Sequence, residues 1–243
     1  MNDILLFFSH LYKGNNYNIY KAIKDSEKVD IEKVENIKKE LNENGIRYLT
    51  IYDEKYPKEL KNLRYPPFVI YYKGNLDVLN KKKIILTGEK EDLVTKNNIN
   101  SSIVKIAKEA VLITNNFKNL DQYIIKKYNE LNKNVIYLLP CGIKYQNYEY
   151  NYEKDLLITQ YPPNCHPKAS FFKERNVIAS SLADAIVIYN SSINSGIQNL
   201  ANIAASLGKE VYCYPGFSYN DGNTFLIKSG ARLITNIGEI NYY

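Results

Sequence analysis

Ala185 to Tyr189 (AIVIY) is followed by a polar loop, a helical repeat and a second apolar run, and this order leaves few folds open. AIVIY is short, continuous and rich in β-branched residues, as expected of a strand buried on both faces of a parallel sheet. The loop Asn190 to Asn194 leads to Ser195-Gly196. From there Ile197, Leu200, Ala201, Ala204 and Leu207 recur at helical spacing, with Gly208 as a C-terminal stop. Val211 to Tyr214 is the next strand, closed by Pro215-Gly216. Strand, helix and parallel strand make a right-handed βαβ unit. Ligands of such units sit at the C-terminal strand ends, against helix N-termini, so an anion such as phosphate is expected near Asn190 to Gly196.

The rest of the chain follows the same alternation. Strands are expected at Phe68 to Tyr72, Lys83 to Thr87, Val111 to Thr114, Val135 to Leu139, Leu156 to Thr159 and Arg232 to Thr235. Helices are expected at about 92–109, 120–132 and 223–229. Together these predict an α/β chain with an extended Rossmann-like, doubly wound, mostly parallel sheet. Residues 1–45 instead read as three short helices, giving a small N-terminal helical domain and linker at 1–62 and a Rossmann-like domain at 63–243.

Charge separates these two parts. Residues 1–62 carry 11 Lys+Arg and 11 Asp+Glu, whereas 63–243 carry 21 and 15, so the net +6 lies wholly in the second part. That bias suits a polyanionic partner, and the neutral first part suggests packing or dimerisation. No apolar run approaches the roughly 18 residues of a membrane span. The start lacks a basic flank and a cleavage site, so a cytoplasmic protein is expected. Cys141, Cys165 and Cys213 are far apart, form no C-x-x-C pair and read as buried thiols rather than a metal site. No cofactor is expected.

Few residues offer chemistry. There is no glycine-rich dinucleotide fingerprint, no P-loop and no G-x-S-x-G elbow. Thr87-Gly88-Glu89 follows a strand and opens a helix. Lys168, Phe171, Phe172, Lys173, Arg175 and Asn176 interleave rings with cations, a composition suited to single-stranded nucleic acid. Core rings with solvated cations would give the same pattern. Ser195-Gly196 reads equally as a helix cap or a phosphate contact.

At these residues the chain resembles the DNA-processing protein A family (DprA, also called Smf). The matching pieces are Tyr56-Pro57 with Leu60, PPFVIYYKGNL at 66–76, LPCGI at 139–143, ITQYPP at 158–163, FFKERNVIASSLADAIVIYNSSINSG at 171–196, GKEVYCYPG at 208–216 and GNTFLIKSGARLI at 222–234. They run in family order over nearly all of 56–236. The resemblance implies a non-catalytic, single-stranded-DNA-binding protein of transformation or recombination that protects the strand and loads a RecA-type recombinase. A homodimer is left open. On this resemblance Lys168, Lys173 and Arg175 hold phosphates, Phe172 stacks or walls the pocket, Asn176 positions the loop, and Ser195 and Gly196 offer N–H groups in a cleft shared with Arg175 and Gly88.

The chain departs from the family pattern in several places. Glu89 stands where the family's V-G-S-R motif has arginine, Val177 replaces a second arginine, and Thr114 to Asp121 (TNNFKNLD) has lost the glycines of S-G-x-A-x-G-I-D. An acid facing phosphates repels them, so weak binding is expected. A nucleotide-binding Rossmann-type sensor or enzyme, and an interaction protein that has lost its ligand, are the alternatives.

Overall fold

The computed structural model describes residues 1–117, 119–147 and 150–240. In chain order the elements are α1 (Asn2–Leu11), α2 (Asn16–Lys24), α3 (Ile31–Glu43), β1 (Arg47–Thr50), α4 (Lys58–Lys61), β2 (Val69–Gly74), β3 (Lys83–Thr87), α5 (Leu93–Glu109) and β4 (Val111–Thr114). They continue with α6 (Leu120–Glu130), β5 (Val135–Leu138), β6 (Leu156–Thr159), α7 (Ala169–Leu182), β7 (Ala185–Ile188), α8 (Gly196–Ser206), β8 (Glu210–Cys213), α9 (Gly222–Lys228) and β9 (Arg232–Leu233). The chain forms two compact units: Met1–Leu76 with Leu139–Phe172, and Asp77–Leu138 with Lys173–Tyr243.

The first unit combines three helices with an antiparallel β1–β2–β6 arrangement, in register Leu49↔Ile70 and Tyr72↔Ile158. The alternating strands and helices suggested a mostly parallel sheet, and these three strands are its exception. The β1–β2 connection carries only the one-turn α4 rather than a full crossover helix, and the two strands pair antiparallel. Leu5, Leu6, Phe8, Ile19, Ala22, Val34 and Leu41 bury the inner helix faces. Asn15 and Asp30 cap α2 and α3 by accepting from the amides of Asn18 and Lys33. The helical spacing of Ile31, Val34, Ile37 and Leu41 predicts one apolar face for α3, yet Ile31, next to the Asp30 cap, is 76% exposed. Lys73 to Leu76 reads as a turn, yet β2 runs on to Gly74, which has φ +109°. A Cβ there would lie 2.1 Å from the Asp155 carbonyl oxygen, so only glycine fits.

The second unit is a parallel sheet in the order β5–β4–β3–β7–β8–β9. Ile84, Ile85, Leu112, Ile113, Val135, Ile136, Ile186, Val187 and Ile188 are all buried, as uninterrupted apolar runs require. From β3 the chain steps outward through β4 to β5. After β7 it steps the opposite way through β8 to β9. Right-handed crossovers in opposite directions place α5 and α6 on one face and α8 and α9 on the other. The reversal falls between β3 and β7, where an open α/β sheet has its crevice. The three cysteines are free and buried, and burial pushes the Cys213 thiol up to about 12.

Candidate nucleic-acid interface

In the second unit the parallel pairing Thr87↔Ile188 and Ile85↔Ile113 aligns the C-terminal ends of β3, β7 and β4. The loops after them therefore gather at one end of the sheet. Between β3 and β7 the crevice is filled by the protein itself. Asn190 Oδ1 accepts from the amides of Glu89 and Lys90, both at 2.8 Å. Its Nδ2 donates to the Lys90 carbonyl at 2.8 Å and to Thr95 Oγ1 at 2.7 Å. A Cβ on Gly88 would lie 2.4 Å from Leu120 Cδ2 and 3.2 Å from Asn190 Oδ1, so this glycine serves close packing. The Glu89 carboxylate accepts from the Ser192 amide at 3.0 Å, placing a fixed negative charge on the β7–α8 loop.

Asp121 organises the neighbouring loop. It is buried near the start of α6, where its Oδ1 accepts from Thr87 Oγ1 at 2.9 Å. Its Oδ2 accepts from Thr114 Oγ1 at 3.3 Å and from the Phe117 amide at 3.1 Å. One carboxyl thus ties the ends of β3 and β4 to the backbone of Phe117. Burial raises its pKa to about 6, against the opposing pull of these donors and of the Arg175 charge. Asn116 and Asn119 both have positive φ, 52° and 68°, a range that asparagine enters more readily than most residues.

Phe117 is where the expected site residues of this unit meet. The Arg175 guanidinium lies 5.0 Å from the Phe117 ring centroid, within cation–π range. The same ring comes within 3.9 Å of a Cβ built on Gly196. Arg175 is 3% exposed and donates from Nη1 to the Asn115 carbonyl at 3.1 Å. Asn176 links the loop to α8: its Oδ1 accepts from Asn115 Nδ2 at 3.0 Å and its Nδ2 donates to Asn199 Oδ1 at 3.2 Å. Ser195 is the N-cap of α8, its Oγ accepting from the Gln198 amide at 3.3 Å. Gly196 is exposed at the first turn of the same helix. Arg175, Asn176 and Gly196 therefore converge on one loop, while Gly88 packs against Leu120 and Asn190. Lys173 is exposed on α7.

Lys168 and Phe172 belong to the first unit. Lys168 is exposed, with its ammonium 5.6 Å from the Phe171 ring centroid. The two adjacent phenylalanines divide the possibilities open to them. Phe171 is 8% exposed and stacks on Tyr161 at 3.8 Å, whereas Phe172 is 42% exposed.

Sequence reasoning passed over Phe117, Asn115, Asn199 and Asp121, and it placed an anion beside Asn190, whose amide is instead engaged with Glu89, Lys90 and Thr95. The signal for the first was available. An aromatic residue in a loop directly after a buried strand, four residues before an acid, invites a capped and ordered loop.

The fold and this strand-end arrangement define a Rossmann-like α/β protein. Residues 47–242 match the family model for DNA recombination-mediator protein A, and the chain belongs to that family. It is 29% identical to protein Smf of Borreliella burgdorferi over 87% of this chain and 70% of that protein. It is 25% identical to DNA processing protein DprA of Streptococcus pneumoniae over 76% of this chain and 70% of that one. The X-ray structure of the Streptococcus pneumoniae protein superposes with a TM-score of 0.77 at 21% identity, covering 100% of this chain and 94% of that one. The structure of DNA processing protein A from Helicobacter pylori, described in terms of its single-stranded DNA binding mode, superposes with a TM-score of 0.68 at 23% identity over 79% and 93% of the two chains. Among the described residues no helix is long and apolar enough to cross a membrane.

Proposed function

We propose that the chain is a non-catalytic, cytoplasmic protein that binds single-stranded DNA weakly and without sequence preference. It would act in transformation or recombination, with a RecA-type recombinase as downstream partner. Carrying the reading is the placement of Arg175 against Phe117, beside the exposed first turn of α8 at the C-terminal strand ends. A ring, a guanidinium and helix N-terminal amides are the groups that stack a base and hold its phosphate.

Within this proposal Lys168 and Lys173 contact phosphates through their exposed ammonium groups. Phe172 offers a stacking face. Arg175 supplies positive potential from a buried position and fixes Phe117. Asn176 sets the loop against α8, and Ser195 and Gly196 present amides. Gly88 contributes by allowing the β3 end to pack closely. The helical module at 1–62 and the Rossmann-like domain at 63–243 are part of the same proposal. Asn190 fills the crevice between β3 and β7 with its own hydrogen bonds, which disfavours the nucleotide-binding alternative.

The test is a titration of labelled oligo-dT at low salt, compared with duplex of equal length. Single strand should bind more tightly, and moderate salt should abolish binding as counterion release demands. Absence of binding by wild type and by Glu89→Arg alike would leave an interaction protein as the reading.

A further inference from the structure

We propose that the exposed face of α2, in the first unit, is a second contact for single-stranded nucleic acid. Tyr17, Tyr20, Lys21 and Lys24 stand at i, i+3, i+4 and i+7, a spacing that places them on one side of the helix. Tyr17 is 73% exposed and Tyr20 55%. Lys21 and Lys24 are exposed as well. Ile19 and Ala22 fill the opposite side, at 1% and 0% exposure, so the core accounts for α2 without the tyrosines.

The neutral total of residues 1–62 conceals a segregation of charge. α2 contains no acid, whereas Asp3, Asp30, Glu35 and Glu40 are paired with lysines outside it. Those pairs are Lys38 with Asp3 at 3.0 Å and Glu35 at 3.1 Å, Lys33 with Asp30 at 3.3 Å, and Lys144 with Glu40 at 2.7 Å. Among the described residues the side chains of Tyr17, Tyr20, Lys21 and Lys24 make no hydrogen bond or ion pair. Two unengaged rings beside two unengaged ammonium groups complement a polyanion with free bases, since rings stack on bases and ammonium groups hold phosphates. A lipid surface fits less well, because the apolar side of α2 is already buried and only tyrosines would remain for insertion.

This inference deepens the single-strand reading but rests on residues of the other unit. The experiment uses the full chain. Oligo-dT carrying 4-thiothymidine is photo-crosslinked to it and the modified peptides are mapped by mass spectrometry. In parallel, the pairs Tyr17→Ala/Tyr20→Ala and Lys21→Glu/Lys24→Glu are titrated with the same oligonucleotide. All four positions are exposed, and circular dichroism checks that the variants are folded. Cross-links at Tyr17 or Tyr20 are expected. The lysine pair should weaken binding about tenfold and flatten its salt dependence, whereas the tyrosine pair should weaken it with the slope unchanged. Cross-links confined to 88–121 and 173–199, with both α2 variants binding as wild type, overturn the inference and leave the proposed function standing. Cross-links confined to α2 leave the inference standing and remove the strand-end loops of the second unit as the contact, while single-strand binding itself stands. No oligonucleotide binding at all overturns both, and co-sedimentation with phosphatidylserine vesicles in that case assigns the face to a lipid surface.

Discussion

Each unit buries a titratable side chain, and acid acts on the two in opposite directions. In the first unit His10 Nε2 is buried without a hydrogen-bond partner among the described residues, and its ring meets the Tyr71 ring edge-on at 5.6 Å. Burial lowers its pKa from 6.5 to about 4, with Glu40 pulling the other way. In the second unit burial raises Asp121 from 3.8 to about 6. Desolvation penalises whichever form is charged, so one physical cause favours neutral imidazole in one place and neutral carboxyl in the other. The difference lies in what surrounds each group. Asp121 has three donors and ties two strand ends to a loop, whereas the buried nitrogen of His10 has no partner that would compensate a charge. The first unit thus tolerates its titratable group as packing, and the second uses its own to build a site.

The largest expected effect breaks the comparison on the second side. Asp121→Ala removes the acceptor of Thr87, Thr114 and Phe117 together and should cost on the order of 3 kcal/mol or more in urea unfolding, with loss of oligo-dT binding. Asp121→Asn keeps the shape and should cost much less. Normal stability and binding in Asp121→Ala would show that the loop is held by other means.

The pH profile sharpens the contrast. A lowered folded pKa means that the His10 contribution is present above pH 6.5 and is lost as pH falls toward 4. A raised folded pKa means that the Asp121 contribution is present below pH 3.8 and is lost as pH rises through 6. Hydrogen exchange followed by mass spectrometry between pH 6.5 and 4 should therefore show protection falling around α1 relative to α6, after correction for the intrinsic rate. His10→Gln should remove the fall, and Asp121→Asn should remove the opposing gain. Identical trends in both regions would end the comparison.

Smaller effects concern binding. Arg175→Gln removes the charge beneath Phe117 and should weaken oligo-dT binding about tenfold with a flatter salt dependence, whereas Phe172→Ala should weaken it by a few-fold with the slope unchanged. Glu89→Gln should give the smallest change, a gain of a few-fold. It removes the charge while its side-chain oxygen can still accept from the Ser192 amide. A loss of binding in Glu89→Gln would mean that the carboxylate itself organises the β7–α8 loop for DNA.

Much of the fold was legible in the chain. β3, β4 and β6 fall where their apolar runs place them, and the caps Asp92, Ser195 and Asp221 mark helix starts through bonds spanning two or three residues. The candidate site was legible only in part. Adjacent Phe171 and Phe172 look alike in sequence, yet one stacks on Tyr161 in the core and the other is exposed. Arg175 reads as a surface cation and is buried. The net charge of 1–62 says nothing of how α2 and α3 divide it.

The sequence by itself determined the strands, the helices and the family, because periodicity, capping and apolar runs act over a few residues. Tertiary structure alone decided that Asn115, Asn176 and Asn199 would form one ladder and that Phe117 would sit between Arg175 and Gly196. It also decided that Asp121 would be desolvated. Those outcomes depend on which strand ends the sheet brings together, and no local pattern records a neighbour sixty residues away.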